Sequence, residues 1–462
     1  MKRILLLIAV MSFCANIFAQ EAKESLKTKC QVFAFSFFDK LAQKEQDNVC
    51  FSPLSAQYAL SMLLNGADGE TLQQIKNVLE LDEYAADDIN QYFQQTTTTL
   101  TTRPQFEYVP NGWQTEEEQR KNYENDHPTC ELANSLWMKN GFPFYEEFQN
   151  ILLGMYQAET GNVDFTTQEG IDAINSWAKE KTHGLIPLLF GEPLNPTVVM
   201  LLANALYFKG TWTTPFHEDE TTKQMFHNAD GTNIEVDMMY ANDYKSVART
   251  DKFTLVKLPY GLKGDFSMTL FLPNEETMPQ LTHEDWLSGR ELLQPKRIGL
   301  NIPCFTTEGS YDLKDILEEM GMVDAFNDYS ANFSKLSPLP VAISKVNQLS
   351  KIIVNETGTE AAAITYIMAE NTALPDQPEE TITFDRPFYY TIEHNGTDQV
   401  LFVGRINQFD NNTAHGSING INTPVHKTSP YGIYDLQGRR LNSIPQKGVY
   451  IQNGKKVSKF HP

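Results

Sequence analysis

Apolar positions along the chain follow two rhythms. Leu72, Ile75, Val78 and Leu79 fall on one helical face, as do Ile171, Ile174 and Trp177, so both stretches predict amphipathic helices. Phe253 to Leu258 and Phe266 to Leu272 predict strands, with Pro259-Tyr260-Gly261 and Lys263-Gly264-Asp265 as breakers between them. Helices and strands do not alternate regularly, which favours an α+β fold over a doubly wound parallel sheet. From residue 96 to 128 the rhythm fades into a run of threonines, then Pro104, Pro110, Gly112 and the acids Glu116, Glu117 and Glu118. This stretch reads as a surface insertion, either an extra contact surface or a solvated loop.

The two ends of the chain depart from the body. Lys2 and Arg3 precede an apolar stretch from Ile4 to Phe18 and small Ala19, the pattern of an export signal over residues 1–19. The apolar run is shorter than the roughly 20 residues a spanning helix needs. A lipid-modified Cys14 is the alternative, though bulky Phe13 fits that processing poorly. The expected location is therefore secreted or cell-surface. From Asn411 to Pro462 seven Lys or Arg stand against one acid, Asp435, a net of +6, while residues 1–410 carry −28 of the total −22. A boundary follows near Asp410, with a linker over 411–430 rich in Asn, Gly, Ser and Thr and a small β tail over 431–462. In that tail Asn453-Gly454 is suited to a hairpin turn. The strongly acidic body opposes nucleic-acid binding and makes a polyanion cofactor unexpected.

Catalytic chemistry leaves little trace. No Gly-x-Ser-x-Gly elbow, His-Glu-x-x-His pair or phosphate-binding Gly-rich loop is present, and the nine histidines are dispersed. Triads assemble in space, so this lowers the expectation of an enzyme without removing it. Cys30, Cys50, Cys130 and Cys304 lack metal-ligand spacing; they read as buried thiols or as one or two disulfides. No metal or cofactor is expected.

The most informative segment runs from Glu356 to Thr372. Its charged residues, Glu356, Glu360 and Glu370, share one parity, while the other holds Thr357, Thr359, Ala361, Ala363, Thr365, Ile367, Ala369 and Asn371. As a strand it would present one uncharged face to a core. No Pro or Gly interrupts Thr359 to Leu374, and Pro375 and Pro378 follow. Glu and three alanines favour a helix capped by Thr359 equally well, so local sequence leaves both open.

The segment resembles the reactive-centre loop of the serpin family, with a hinge of Glu356, Gly358, Thr359, Glu360, Ala361, Ala362 and Ala363. The resemblance extends from about Leu26 to Phe409. The run from Asn48 to Ser55, the run from Gly66 to Thr71, the run from Asn204 to Trp212 and the run from Phe384 to Phe388 resemble four further signatures in order. It implies a serpin domain over 20–410, with three β-sheets, eight to nine helices and an exposed reactive-centre loop over 356–383. It also implies an endopeptidase inhibitor rather than an enzyme, expected to act as a monomer. In that family a protease cuts the loop and forms an acyl-enzyme; the freed hinge then inserts into the largest sheet, carrying the trapped protease with it.

By the family's count of seventeen residues from Glu356 the reactive bond is Thr372-Ala373, with the neighbouring bonds as alternatives. Small Thr372 suits a shallow pocket of the elastase or subtilisin type; cysteine proteases with broad subsites stay open. Ser52, Ser55, Asn204 and Gln348 match a polar cluster beneath the opening sheet, and Trp212 an aromatic near where insertion begins. Two departures stand out: Gln348 replaces a common histidine, and Cys304 stands where some relatives place a basic partner for Glu356. A binding or carrier protein whose loop never inserts is the alternative function. The tail resembles the sorting tails of exported bacterial proteins.

Overall fold

The computed structural model describes residues 24–359 and 378–410, together with the strand backbones of the tail. The chain forms two compact units, Met1–Gly416 and Ser417–Pro462. The first holds nine α-helices among the described residues: α1 (24–44), α2 (Pro53–Leu64), α3 (Gly69–Val78), α4 (Ala86–Thr101), α5 (Glu116–Asp126), α6 (Glu146–Tyr156), α7 (Gln168–Lys181), α8 (His283–Glu291) and α9 (Lys314–Glu319).

Two sheets build its core. The nine-stranded sheet runs β1 (Val49–Phe51), β15 (Gln399–Ile406), β14 (Phe388–His394), β8 (Phe266–Pro273), β7 (Phe253–Tyr260), β6 (Asn233–Arg249), β9 (Gln294–Pro303), β13 (Thr381–Thr383), with β5 (Thr222–His227) also on β6. The six-stranded sheet runs β10 (Phe305–Asp312), β11 (Asn347–Asn355), β12 (Gly358–Thr359), β4 (Met200–Thr211), β2 (Thr129–Lys139), β3 (Glu159–Val163). The tail unit is a four-stranded sheet of β16 (Ile433–Tyr434), β17 (Arg440–Leu441), β18 (Gly448–Gln452) and β19 (Lys455–Lys459). With helices packed beside these sheets, the architecture is the expected α+β one.

Between the two large sheets lies α2, in contact with both β4 and β15. Its sequence explains the place: eleven of its twelve residues are buried, and a helix with no solvated face belongs in a core. Ser52 caps it, its Oγ accepting from the Ser55 N–H at 3.2 Å, and Pro53 supplies a preset first turn. The predicted apolar faces of α3 and α7 are buried through Ile75, Val78, Ile171, Ile174 and Trp177.

Three local expectations change. Strand β7 continues through Pro259 and Tyr260, because Pro259 needs no ladder donor where it pairs with Ser267. The threonine-rich stretch 96–101 completes α4 instead of opening a loop: Thr97, Thr98, Thr99 and Thr101 donate their hydroxyls to carbonyls four residues back. Within the insertion, Thr115 and Glu118 form a capping box that starts α5. The four cysteines among the described residues are buried free thiols; burial pushes Cys50 up to about 11.

Candidate functional site

The site is where β11 turns back towards β4. Asn355 ends β11, and its Oδ1 accepts from the Thr357 N–H at 3.1 Å, the Thr357 hydroxyl at 2.8 Å and the Gly358 N–H at 3.2 Å. This side-chain turn reverses the chain. Strand β12 then pairs antiparallel on both sides, Thr359 with Val354 of β11 and with Gly210 of β4. Only glycine fits at 358, since a Cβ there would lie 2.0 Å from the Gly210 carbonyl oxygen.

Thr359 is fully buried, and its Oγ1 lies 2.5 Å from the hydroxyl of Tyr260. Burial holds the Tyr260 phenol neutral by raising it far above its usual range. Trp212 stacks on that ring at 4.4 Å, donates Nε1–H to the Asn355 carbonyl at 2.9 Å and its backbone N–H to the Thr357 carbonyl at 2.9 Å. Glu356 accepts at Oε1 from the Thr221 hydroxyl at 2.8 Å, and its carbonyl from the Phe216 N–H at 2.9 Å. The Cys304 thiol also faces Glu356; burial and the nearby carboxylate hold it protonated. A hydroxyl and a thiol therefore serve where a cation was the comparison.

Among the described residues no register joins β4 directly to β11; β12 is the strand between them. At Thr359 the two are thus held about 10 Å apart, two strand spacings. Below it lies an open cleft lined by Met200 and Leu202 of β4, Gln348 of β11, Leu60 of α2 and Trp177 of α7.

Three predicted residues, Ser55, Asn204 and Gln348, line that cleft, and Ser52 is bonded to Ser55 and Gln348. Ser52 and Gln348 exchange two bonds, Ser52 N–H to Oε1 at 3.1 Å and Nε2–H to the Ser52 carbonyl at 2.7 Å. The Ser52 hydroxyl donates to the Leu401 carbonyl at 2.8 Å, and the Ser55 hydroxyl donates to Asn204 Oδ1. Asn204 in turn donates to Asn134 Oδ1 at 2.7 Å, and Asn134 to the Tyr156 carbonyl at 2.8 Å. The cluster thus ties β4, β11, α2 and β15 with satisfied polar groups. Trp212 sits apart from it, at the hinge.

Glu356, Gly358 and Thr359 occupy the hinge; Glu360, Ala361, Ala362, Ala363, Thr372 and Ala373 lie outside the described residues. Sequence reading missed Tyr260, Thr221 and Asn134. Tyr260 looked like part of a breaker, and no pattern singles out the other two.

Comparison with known proteins identifies the family that shares this arrangement. The family described as Serpin (serine protease inhibitor) matches residues 28–409, and the chain belongs to it. Serpin B11 of Homo sapiens is 31% identical over 405 residues, 83% of this chain and 99% of that protein. Leukocyte elastase inhibitor of Xenopus laevis is 31% identical, covering 83% and 99%. The native thermophilic serpin tengpin superposes with a TM-score of 0.72 at 26% identity, over 83% of this chain and 94% of its own. Serpins are in general protease inhibitors, not enzymes.

Proposed function

We propose that the chain is an exported inhibitory serpin that traps a serine endopeptidase of elastase or subtilisin type, with a cysteine endopeptidase of broad subsites as the second target class. The single observation that carries this is the seating of Gly358 and Thr359 between β4 and β11, strands that no described register joins directly. A strand continued from Thr359 would run down the cleft, and small Ala361 and Ala363 oppose that least. The protease nucleophile attacks the Thr372 carbonyl, the Thr372-Ala373 bond breaks, Ala373 leaves as an amine, and an ester or thioester joins the protease to Thr372. Fourteen residues from Thr359 to Thr372, at roughly 3.3 Å each, then form a strand of about 46 Å that carries the attached enzyme along the sheet.

Small Thr372 and the likeness to a leukocyte elastase inhibitor both support the target class. Incubation with elastase- and subtilisin-class proteases should yield an SDS-resistant complex and a fragment beginning at Ala373. Clean cleavage by every protease, with full protease activity left, would sink the proposal in favour of a carrier.

A further inference from the structure

We propose that the insertion between α4 and β2 is a docking surface for the target protease, one whose surface bears positive charge beside its active-site cleft; this rests on the inhibitory reading above. Position comes first. The insertion returns to the fold at Thr129, which pairs with Lys209 of β4, two residues from the partner of Gly358, Thr211. It is thus about 10 Å to the side of the hinge, two strand spacings away. Contacts close that distance: the Asp126 carbonyl accepts from the Leu262 N–H at 3.1 Å, and the Thr211 carbonyl from the Gly261 N–H at 2.8 Å. Gly261 is needed there, since its φ is +66° and a Cβ would meet the Asp126 oxygen at 2.6 Å. An enzyme attacking a loop that departs from Thr359 must approach this pole.

The insertion is also built rather than loose. Gln119 of α5 bridges the Val109 backbone, accepting from its N–H at 3.0 Å and donating to its carbonyl at 2.7 Å. Phe106 packs on Tyr123 at 5.6 Å, Arg120 lies over Phe106 at 4.3 Å, and Arg103 donates to Thr129 Oγ1 at 2.7 Å. Yet this packing leaves its best apolar groups outside. Trp113 is 90% exposed and Val109 60%, with Leu262 of the adjoining turn at 70%. Asn111 Oδ1 accepts from the Trp113 N–H at 3.0 Å and the Gln114 N–H at 2.9 Å, which fixes the tryptophan's backbone. With its backbone already fixed, Trp113 is presented at a reduced ordering cost, and Trp is enriched at interface hot spots.

Charge selects the occupant. Residues 104–126 carry six acids against two bases, a net of −4. Polyanions are repelled, and so is a second copy of a chain with a net charge of −22. A basic protease is attracted, and the gain belongs chiefly to the association rate.

The test compares wild type with Trp113→Ser and with the double variant Glu117→Gln and Glu124→Gln, which leaves the capping residue Glu118 in place. Association rates are measured against basic and acidic elastase- and subtilisin-class proteases, at low and high salt. With basic proteases each variant should associate about tenfold more slowly at low salt. The double variant's deficit should fade at high salt as charges are screened, with complex yield and melting temperature unchanged. Rates equal to wild type with every protease would overturn the docking surface while leaving inhibition intact; an equal loss with acidic and basic enzymes would overturn the charge assignment. A wild type that traps no protease removes both readings.

Discussion

Tyr260 holds the hinge through one hydroxyl, and the geometry makes that contact testable alone. Tyr260→Phe keeps the ring under Trp212 but leaves the buried Thr359 Oγ1 without its 2.5 Å neighbour. The uncleaved protein should lose about 1–2 kcal/mol, read as a lower urea midpoint with an unchanged slope. Thr359→Arg asks more, because a guanidinium cannot enter a site with no exposure. Protease cleavage should continue while the SDS-resistant complex disappears; complex yield equal to wild type would refute the hinge assignment. At this scale the sequence was partly legible. Thr359 stands in a recognisable run of small residues, whereas Tyr260 and Thr221 reach the hinge from about 100 and 135 positions away, a proximity only the fold creates.

Elements anchor the two ends of the loop differently. The leading end, β12, belongs to the six-stranded sheet; the trailing end, β13, pairs in parallel with β9 of the nine-stranded one. Just before β13, Glu380 accepts from Lys296 at 2.8 Å and from Arg249 at 2.5 Å. Lys296 above all, helped by Arg249 against partial burial, holds the Glu380 carboxyl below its usual range. A carboxyl lowered in the folded state stabilises above its unfolded value of about 4.3, and that contribution fades as pH falls through the folded value. Glu380→Gln should therefore cost under about 1 kcal/mol at pH 7, since the pair is partly exposed, and less at pH 3. Urea unfolding at both pH values checks it; an equal deficit at both would contradict the ion pair. The amphipathic helices α3 and α7 could be read from their periodicity, and β8 from a continuous apolar run buried on both faces. Helix α5 could not, being polar nearly all round and held by its capping box and the packing of Tyr123.

For the whole molecule the expectation is thermal. If a cut near Ala373 lets the loop fill the cleft, a strand's worth of new hydrogen bonds and side-chain pairs joins the sheet. Calorimetry on nicked protein should show a melting temperature about 10 °C or more above the intact form. A nicked sample that melts no higher than the intact one would contradict insertion. The overall architecture was legible through five ordered motifs, not through periodicity, which gives elements but not the order in which β2, β4 and β11 lie side by side. Anchorage on two different sheets has a last consequence. Once the backbone between them is severed, the strand-side piece leaves with one sheet and the remainder stays with the other, so the two new termini cannot meet to be rejoined. On the inhibitory reading proposed above, each copy would then work a single time, and the number of copies, rather than any turnover, would set how much proteolysis is silenced.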